Sequence, residues 1–239
     1  MTAIDPTTES GSSVRRAGAR EWLGLVVLAL PCLAYAMDLT VLNLAVPKIS
    51  EELHPSATGL LWIVDVYGFF VAAFLITMGT LGDQIGRRRL LLAGAVGFGA
   101  ASVLAALATS TAALIVARAL LGIAGATIAP STLSLITVMF EEPGERTRAI
   151  GFWVMSFSLG AAIGPLAGGL LLETLWWGSV LLIAIPPVLA LLVLGPRLLP
   201  EFKDPEAGRL DPPSVVLSLF AVLAIVLGLK EAAAGQLGV

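Results

Sequence analysis

Seven long apolar runs, joined by short polar connections, constrain this chain more than any other feature. They fall at Trp22–Val46, Ala57–Leu81, Leu90–Ala108, Ala112–Phe140, Ile150–Leu172, Leu175–Leu199 and Val215–Leu229. A helix needs about 20 apolar residues to cross roughly 30 Å of hydrocarbon. Most of the runs meet that length; the fourth is overlong and the seventh is short. Composition agrees, since 57% of the 239 residues are hydrophobic and only 13% are charged, whereas a soluble domain carries about 25% charged residues. The reading is an all-α, polytopic membrane protein with a six-helix bundle followed by a seventh helix.

On this reading residues 1–20 form a disordered cytoplasmic tail, 21–199 the bundle, 200–213 a cytoplasmic loop, and 214–239 the seventh helix and a truncated end. Arg15, Arg16 and Arg20 ahead of an apolar run with Ala34-Tyr35-Ala36 imitate a signal peptide. The run continues through Leu42, Leu44 and Val46, too far for a cleaved leader, so it reads as a first spanning helix. Placing the N-terminus inside puts eleven of the fourteen Lys and Arg residues on the cytoplasmic side, as the positive-inside bias requires. A plasma-membrane protein with a cytoplasmic N-terminus is expected. The polar connections are Pro47–Ser56, Gly82–Arg89, Glu141–Ala149 and Pro200–Pro213. The chain ends at Gln236-Leu237-Gly238-Val239, just beyond a helix without an obvious partner, and is expected to be a fragment.

A net charge of −3 with scattered basic residues excludes a nucleic-acid surface. One cysteine, Cys32, and one histidine, His54, cannot build a disulfide framework or a Cys/His metal site. No metal and no cofactor is expected.

An ionisable residue inside a membrane span is costly and therefore points to function. Three such residues stand here: Asp38, Asp65 and Arg118. From the ~1.5 Å rise per helical residue, all three lie about 9–12 Å below the outer face, in one layer. A structural salt bridge fixing helix register is the plain reading. The functional reading uses the surplus acid, because two carboxylates against one guanidinium leave a group able to accept a proton or face an organic cation. Tyr35, Asn43, Trp62 and Tyr67 lie nearby as cavity candidates. For Trp62 and Tyr67 an aromatic belt at the outer interface explains the residues equally well.

Two glycine patterns complete the set. Gly79-Thr80-Leu81-Gly82-Asp83-Gln84-Ile85-Gly86-Arg87-Arg88-Arg89 combines a tight turn with an acid beside several arginines, a cytoplasmic ion-pair latch able to break and reform. It resembles the signature loop of the major facilitator superfamily, G-x-L-x-D-x-x-G-R-[RK], and matches it at every defined place: Gly79, Leu81, Asp83, Gly86, Arg87 and Arg88. In the fifth run Gly160, Gly164 and Gly168 recur every four residues, a smooth stripe for close helix contact, with Pro165 and Gly169 beside it. The stretch Gly160 to Gly169 is similar to the antiporter motif of exporters in that superfamily.

Met37-Asp38-Leu39-Thr40-Val41-Leu42-Asn43-Leu44-Ala45-Val46-Pro47 resembles the first-helix motif of the fourteen-helix drug:proton antiporters. Trp62-Ile63-Val64-Asp65-Val66-Tyr67, and Arg118 with Gly122 and Gly125, look like the second and fourth helices of the quaternary-ammonium exporters in that branch. The resemblance covers about residues 22–231. It implies the N-terminal bundle plus a linker helix of a transporter twice this length, with a second bundle as partner. It further implies export of lipophilic cations in exchange for protons, with Asp38, Asp65 and Arg118 as the working acids and base. The competing readings are a solute:proton symporter, an inactive truncated product and, least favoured, a seven-helix receptor, which lacks its mid-helix lysine because Lys230 stands at a helix end.

Overall fold

The computed structural model describes residues 16–205 together with 213, 215–217, 219–225 and 228. Within them lie six helical spans long and apolar enough to cross a membrane. The chain runs α1 (Ala19–Leu53), α2 (Ala57–Ile85), α3 (Arg87–Ala106), α4 (Thr111–Gly125), α5 (Ile128–Met139) and α6 (Pro143–Thr174). A 3-10 helix at Trp177–Ala184 then leads into α7 (Ile185–Leu198). Residues 215–217 and 219–225 are helical; the rest of the expected seventh span, the truncated end and most of the expected N-terminal tail lie outside the described residues.

Local chemistry sets the helix ends. Ser56 and Ser110 cap α2 and α4 by accepting from the Gly59 and Ala113 amides at 3.1 and 3.2 Å. Glu142 does the same for α6, accepting from the Glu145 amide at 2.6 Å, with Pro143 in the first turn where its missing donor costs nothing. The overlong fourth run is two helices. Pro130 cannot donate to the Ala126 carbonyl, and the ladder breaks across Ala126–Thr127, where the Thr127 amide bonds back to the Ala124 carbonyl at 3.1 Å. Pro186-Pro187 similarly marks where the sixth span changes from 3-10 to α geometry.

Several expected boundaries are corrected. α1 begins at Ala19, inside the expected tail, and passes through Pro47 to Leu53, ending at His54 in a left-handed conformation (φ 44°) before Pro55. A single proline removes one hydrogen bond while the rest of the ladder holds, so Pro47 does not stop the helix. The connection expected at 82–89 shrinks to Gly86, and that at 141–149 is mostly the first turns of α6.

α1 occupies the centre of the bundle. Of its apolar window 67% is buried, against 22% for both α2 and α6. It packs most extensively on α6, and α4 fills between α2 and α3. The face of α1 carrying Tyr35, Leu39 and Asn43 stays partly or fully open, with α2 and α6 reaching Tyr35 from either side.

Candidate functional site

The glycine stripe of α6 fixes how α1 sits. A Cβ on Gly160 would lie 2.5 Å from the Leu33 carbonyl and 2.9 Å from Ala36 Cβ, and one on Gly168 would lie 3.2 Å from Val41. Gly164 meets Thr40 and Met37 in the same way. The two helices therefore touch backbone to backbone, as small residues at four-residue spacing allow. Both ends of the pair are tied as well: Glu145 accepts from the Ala17 amide at 2.7 Å, and the Lys48 ammonium donates to the Leu172 carbonyl. Pro165 is exposed and a Cβ on Gly169 would meet nothing. Those two members of the expected motif stand off the contact stripe.

This seating points Asp38 inward. Its Oδ2 accepts from Arg118 Nη1 of α4 at 2.5 Å, with the two side chains 2% and 1% exposed. Arg118 Nε also donates to the Ile63 carbonyl of α2 at 3.4 Å, and the guanidinium lies 4.7 Å from the centre of the Tyr67 ring. Three helices thus converge on one cation in a site from which water is excluded. Close approach of α4 and α2 depends on Gly122, where a Cβ would lie 2.5 Å from the Tyr67 carbonyl. Gly125 packs against Tyr67 and Tyr35. Among the described residues Asp38 Oδ1 and the Tyr67 hydroxyl have no hydrogen-bond partner. A buried carboxylate with one oxygen paired and one free can take up a proton or a cationic group, and its guanidinium partner holds the balancing charge.

Asp38 and Arg118 meet, but Asp38 does not lie at the expected depth of about 12 Å: it stands fifteen residues before Leu53, about 22 Å along the helix, because α1 runs past Pro47. Tyr35, Asp38, Tyr67 and Arg118 are brought together. Asp65 is half-buried, two residues from the carbonyl that Arg118 contacts. Tyr67 is 1% exposed, a core residue under the guanidinium and not part of an interfacial belt. Trp62 is exposed and meets Phe69 edge to face at 6.0 Å, and exposed Asn43 donates to the Leu39 carbonyl at 3.4 Å. Neither belongs to the ion-pair cluster. Sequence reasoning missed Phe157 of α6, whose ring reaches Tyr35, and Trp153, whose ring meets Phe157. Their signal was present, a pair of aromatics one turn apart leading into the glycine stripe.

At the other end of α2, Gly86 adopts φ 113°, a backbone that favours glycine, and carries the chain directly into α3. Asp83 pairs with Arg87 at 2.5 Å. A strap that the sequence did not reveal closes over this turn. The Arg87 amide donates to the Phe202 carbonyl at 2.8 Å and the Asp204 amide to the Asp83 carbonyl at 3.1 Å. Glu201 accepts from the Arg88 amide at 3.1 Å and pairs with the Arg88 and Arg89 guanidinium groups at 3.5 and 3.7 Å. Arg88 also donates to the Leu199 carbonyl at 2.9 Å. Gly82 packs on the Arg87 side chain, whereas a Cβ on Gly79 would meet only Pro130, at 3.9 Å.

Known proteins resemble this chain over most of its length. The chain is 53% identical over 225 residues to the multidrug efflux pump LfrA of Mycolicibacterium smegmatis, which covers 94% of this chain and 45% of the relative. It is 43% identical over 222 residues to the methyl viologen resistance protein SmvA of Salmonella typhimurium, covering 91% and 44%. The chain therefore spans about half the length of these relatives. Among solved structures, the peptide transporter POT in complex with sulfate superposes with a TM-score of 0.68 at 21% identity, over 87% of this chain and 45% of the other. A bacterial homologue of the lysosomal transporter Spinster gives 0.64 at 22% identity, over 82% and 46%. Both likenesses concern the fold. The family model described as Major Facilitator Superfamily matches residues 28–232, and this multi-pass membrane chain belongs to that superfamily.

Proposed function

We propose that this sequence works as the N-terminal half of a drug exporter that exchanges protons for lipophilic cations, quaternary ammonium compounds among them. The observation that carries the reading is the buried Asp38–Arg118 pair with its free carboxylate oxygen. The printed functions of the relatives, multidrug efflux and methyl viologen resistance, support the same direction.

Asp38 is the proton-coupling group. Protonation removes its charge and releases Arg118, which keeps Tyr67 beneath it and the Ile63 carbonyl beside it. Deprotonation re-forms the pair. Asp65 supplies a second negative charge for recognising dications. The loop from Gly79 to Arg88, with the Glu201 strap, governs the exchange of inward- and outward-open forms. Gly160, Gly164 and Gly168 keep α1 and α6 as one body during that exchange. The N-terminus and the ends at Arg87 and Arg148 face the cytoplasm, with Glu51 and Glu173 outside. The second bundle of a longer chain forms the opposite wall of the substrate path.

The test is pH-driven efflux of one monovalent and one divalent dye by the full-length protein. Asp38→Asn is expected to abolish export of both. Asp65→Asn is expected to impair the dication more, because a second positive charge loses its partner in a low-dielectric site. Equal loss of both dyes in Asp65→Asn, or proton-driven export by Asp38→Asn, contradicts this division of labour.

A further inference from the structure

Four aromatic rings from three helices lead from the open face of the bundle to the buried ion pair. Trp153 and Phe157, one turn apart on α6, meet edge to face with ring centres 4.9 Å apart. Phe157 meets Tyr35 of α1 edge to face at 5.9 Å, and Tyr35 meets Tyr67 of α2 at 5.7 Å. Tyr67 then carries the Arg118 guanidinium at 4.7 Å. Burial changes along the series. Tyr67 is enclosed, with one face taken by Arg118, whereas Tyr35, Phe157 and Trp153 are only half-buried.

The outer rings are held in place. Trp153 Nε1 donates to Thr132 Oγ1 of α5 at 2.9 Å, and the Thr132 hydroxyl in turn lies 2.7 Å from the Ile128 carbonyl as donor. With its N–H turned into the bundle, the indole offers only carbon surface to Phe157. An edge-to-face contact covers one face of only one of its two rings, and Phe157 keeps part of its surface open; ring faces carry the negative side of the aromatic quadrupole. Tyr35 lies one turn from Asp38 on α1, whose free oxygen supplies negative charge at the closed end of the series.

We propose that Phe157 is the ring on which a planar aromatic cation stacks, that Trp153, pinned by Thr132, is the residue positioning it, and that exposed Trp62 takes no part. The proposal rests on the export reading and names the substrate class of the same site. A flat aromatic cation gains stacking on the face of Phe157 in addition to cation–π attraction and the negative field of Asp38; an aliphatic quaternary ammonium ion keeps the field and a cation–π attraction weakened by its alkyl chains, without the stacking.

The experiment uses the full-length protein with ethidium as the planar cation and tetrapropylammonium as the aliphatic one. Binding of each is measured on purified protein, and pH-driven efflux in membrane vesicles. Phe157→Leu is expected to weaken ethidium binding about tenfold, the size of one aromatic stacking contact, while tetrapropylammonium, which loses only an exposed cation–π contact, weakens by no more than about threefold. Phe157→Tyr keeps the ring and should retain ethidium. Trp153→Phe, which loses the anchor to Thr132, should reduce ethidium binding to an intermediate extent, and Trp62→Leu should leave both ligands unchanged. Equal loss of both cations in Phe157→Leu, no loss of either, or a selective ethidium defect in Trp62→Leu overturns the assignment. Ethidium binding decides the ring assignment and proton-driven efflux by the unaltered protein decides the export reading, so each fails separately.

Discussion

The chain carries two clusters of opposite charges, and they are built on opposite principles. In the bundle interior one acid and one base meet in a single short contact, with side chains 2% and 1% exposed. At the Gly86 turn the charges are spread over Asp83, Arg87, Arg88, Arg89 and Glu201; Arg87 is 10% exposed, but Asp83 is 29%, Glu201 27% and Arg89 75% exposed. Removing one partner of a buried pair costs about 3–5 kcal/mol because the other is left uncompensated; an exposed pair contributes about 0–1 kcal/mol. The interior pair is therefore held firmly, and the partly exposed charges of the turn more loosely.

The sharpest test of this contrast is a double-mutant cycle on the interior pair. Asp38→Asn or Arg118→Gln alone is expected to destabilise the protein by about 3–5 kcal/mol, while the double variant loses less than the sum, since no charge is then stranded. Thermal unfolding in detergent micelles measures the cycle. Additive losses would show that the two groups act independently and would break the comparison at its stronger end.

A smaller effect is expected at the turn. Glu201→Gln should change stability by less than about 1 kcal/mol, and Asp83→Asn by more than that, because buried Arg87 loses its ion partner; both should slow efflux several-fold while substrate binding stays within about twofold. Raising the salt concentration should mimic both, because exposed charges are screened over about 10 Å at 0.1 M. Efflux rate and dye binding are to be compared at low and high salt. If binding and efflux fall together, or if salt leaves the rate unchanged, the turn is not the loose element described.

The two clusters also differ in how legible they were. Charged residues stand out in apolar runs, so Asp38, Asp65 and Arg118 could be picked out, and helical rise put them in one layer. Partner choice could not be read, because it depends on which face of α1 the Gly160 stripe turns inward. For the same reason the sequence left Tyr67 open between a cavity residue and an interfacial belt, whereas its ring lies beneath Arg118. At the turn the local pair Asp83 and Arg87 is visible as an i, i+4 spacing. Glu201 and Phe202 lie more than a hundred residues away, on a segment with no periodicity to betray its docking. Helix ends failed where single residues were overvalued: Pro47 did not stop α1, whereas Pro130 divided a run that looked continuous.

The smallest effect expected is at the N-terminal start of α6. Glu142 accepts from the Glu145 amide at 2.6 Å, and backbone donors at Gly144 and Glu145 hold its carboxyl below the usual carboxylate range, with Arg148 and Arg16 adding to the same direction. A depressed value means that the charged form is favoured by folding. The contribution is therefore complete above the ordinary carboxylate value and is lost as pH falls through the lowered one. Glu142→Gln keeps an acceptor oxygen but removes the charge at the positive end of a long helix. Amide hydrogen exchange at Gly144 and Glu145 should be faster in the variant at neutral pH. The difference from the unaltered protein should close once acid has protonated Glu142. A gap that persists in acid would mean that side-chain shape, and not charge, sets this cap, placing the start of α6 outside the loosely held electrostatics of the Gly86 turn.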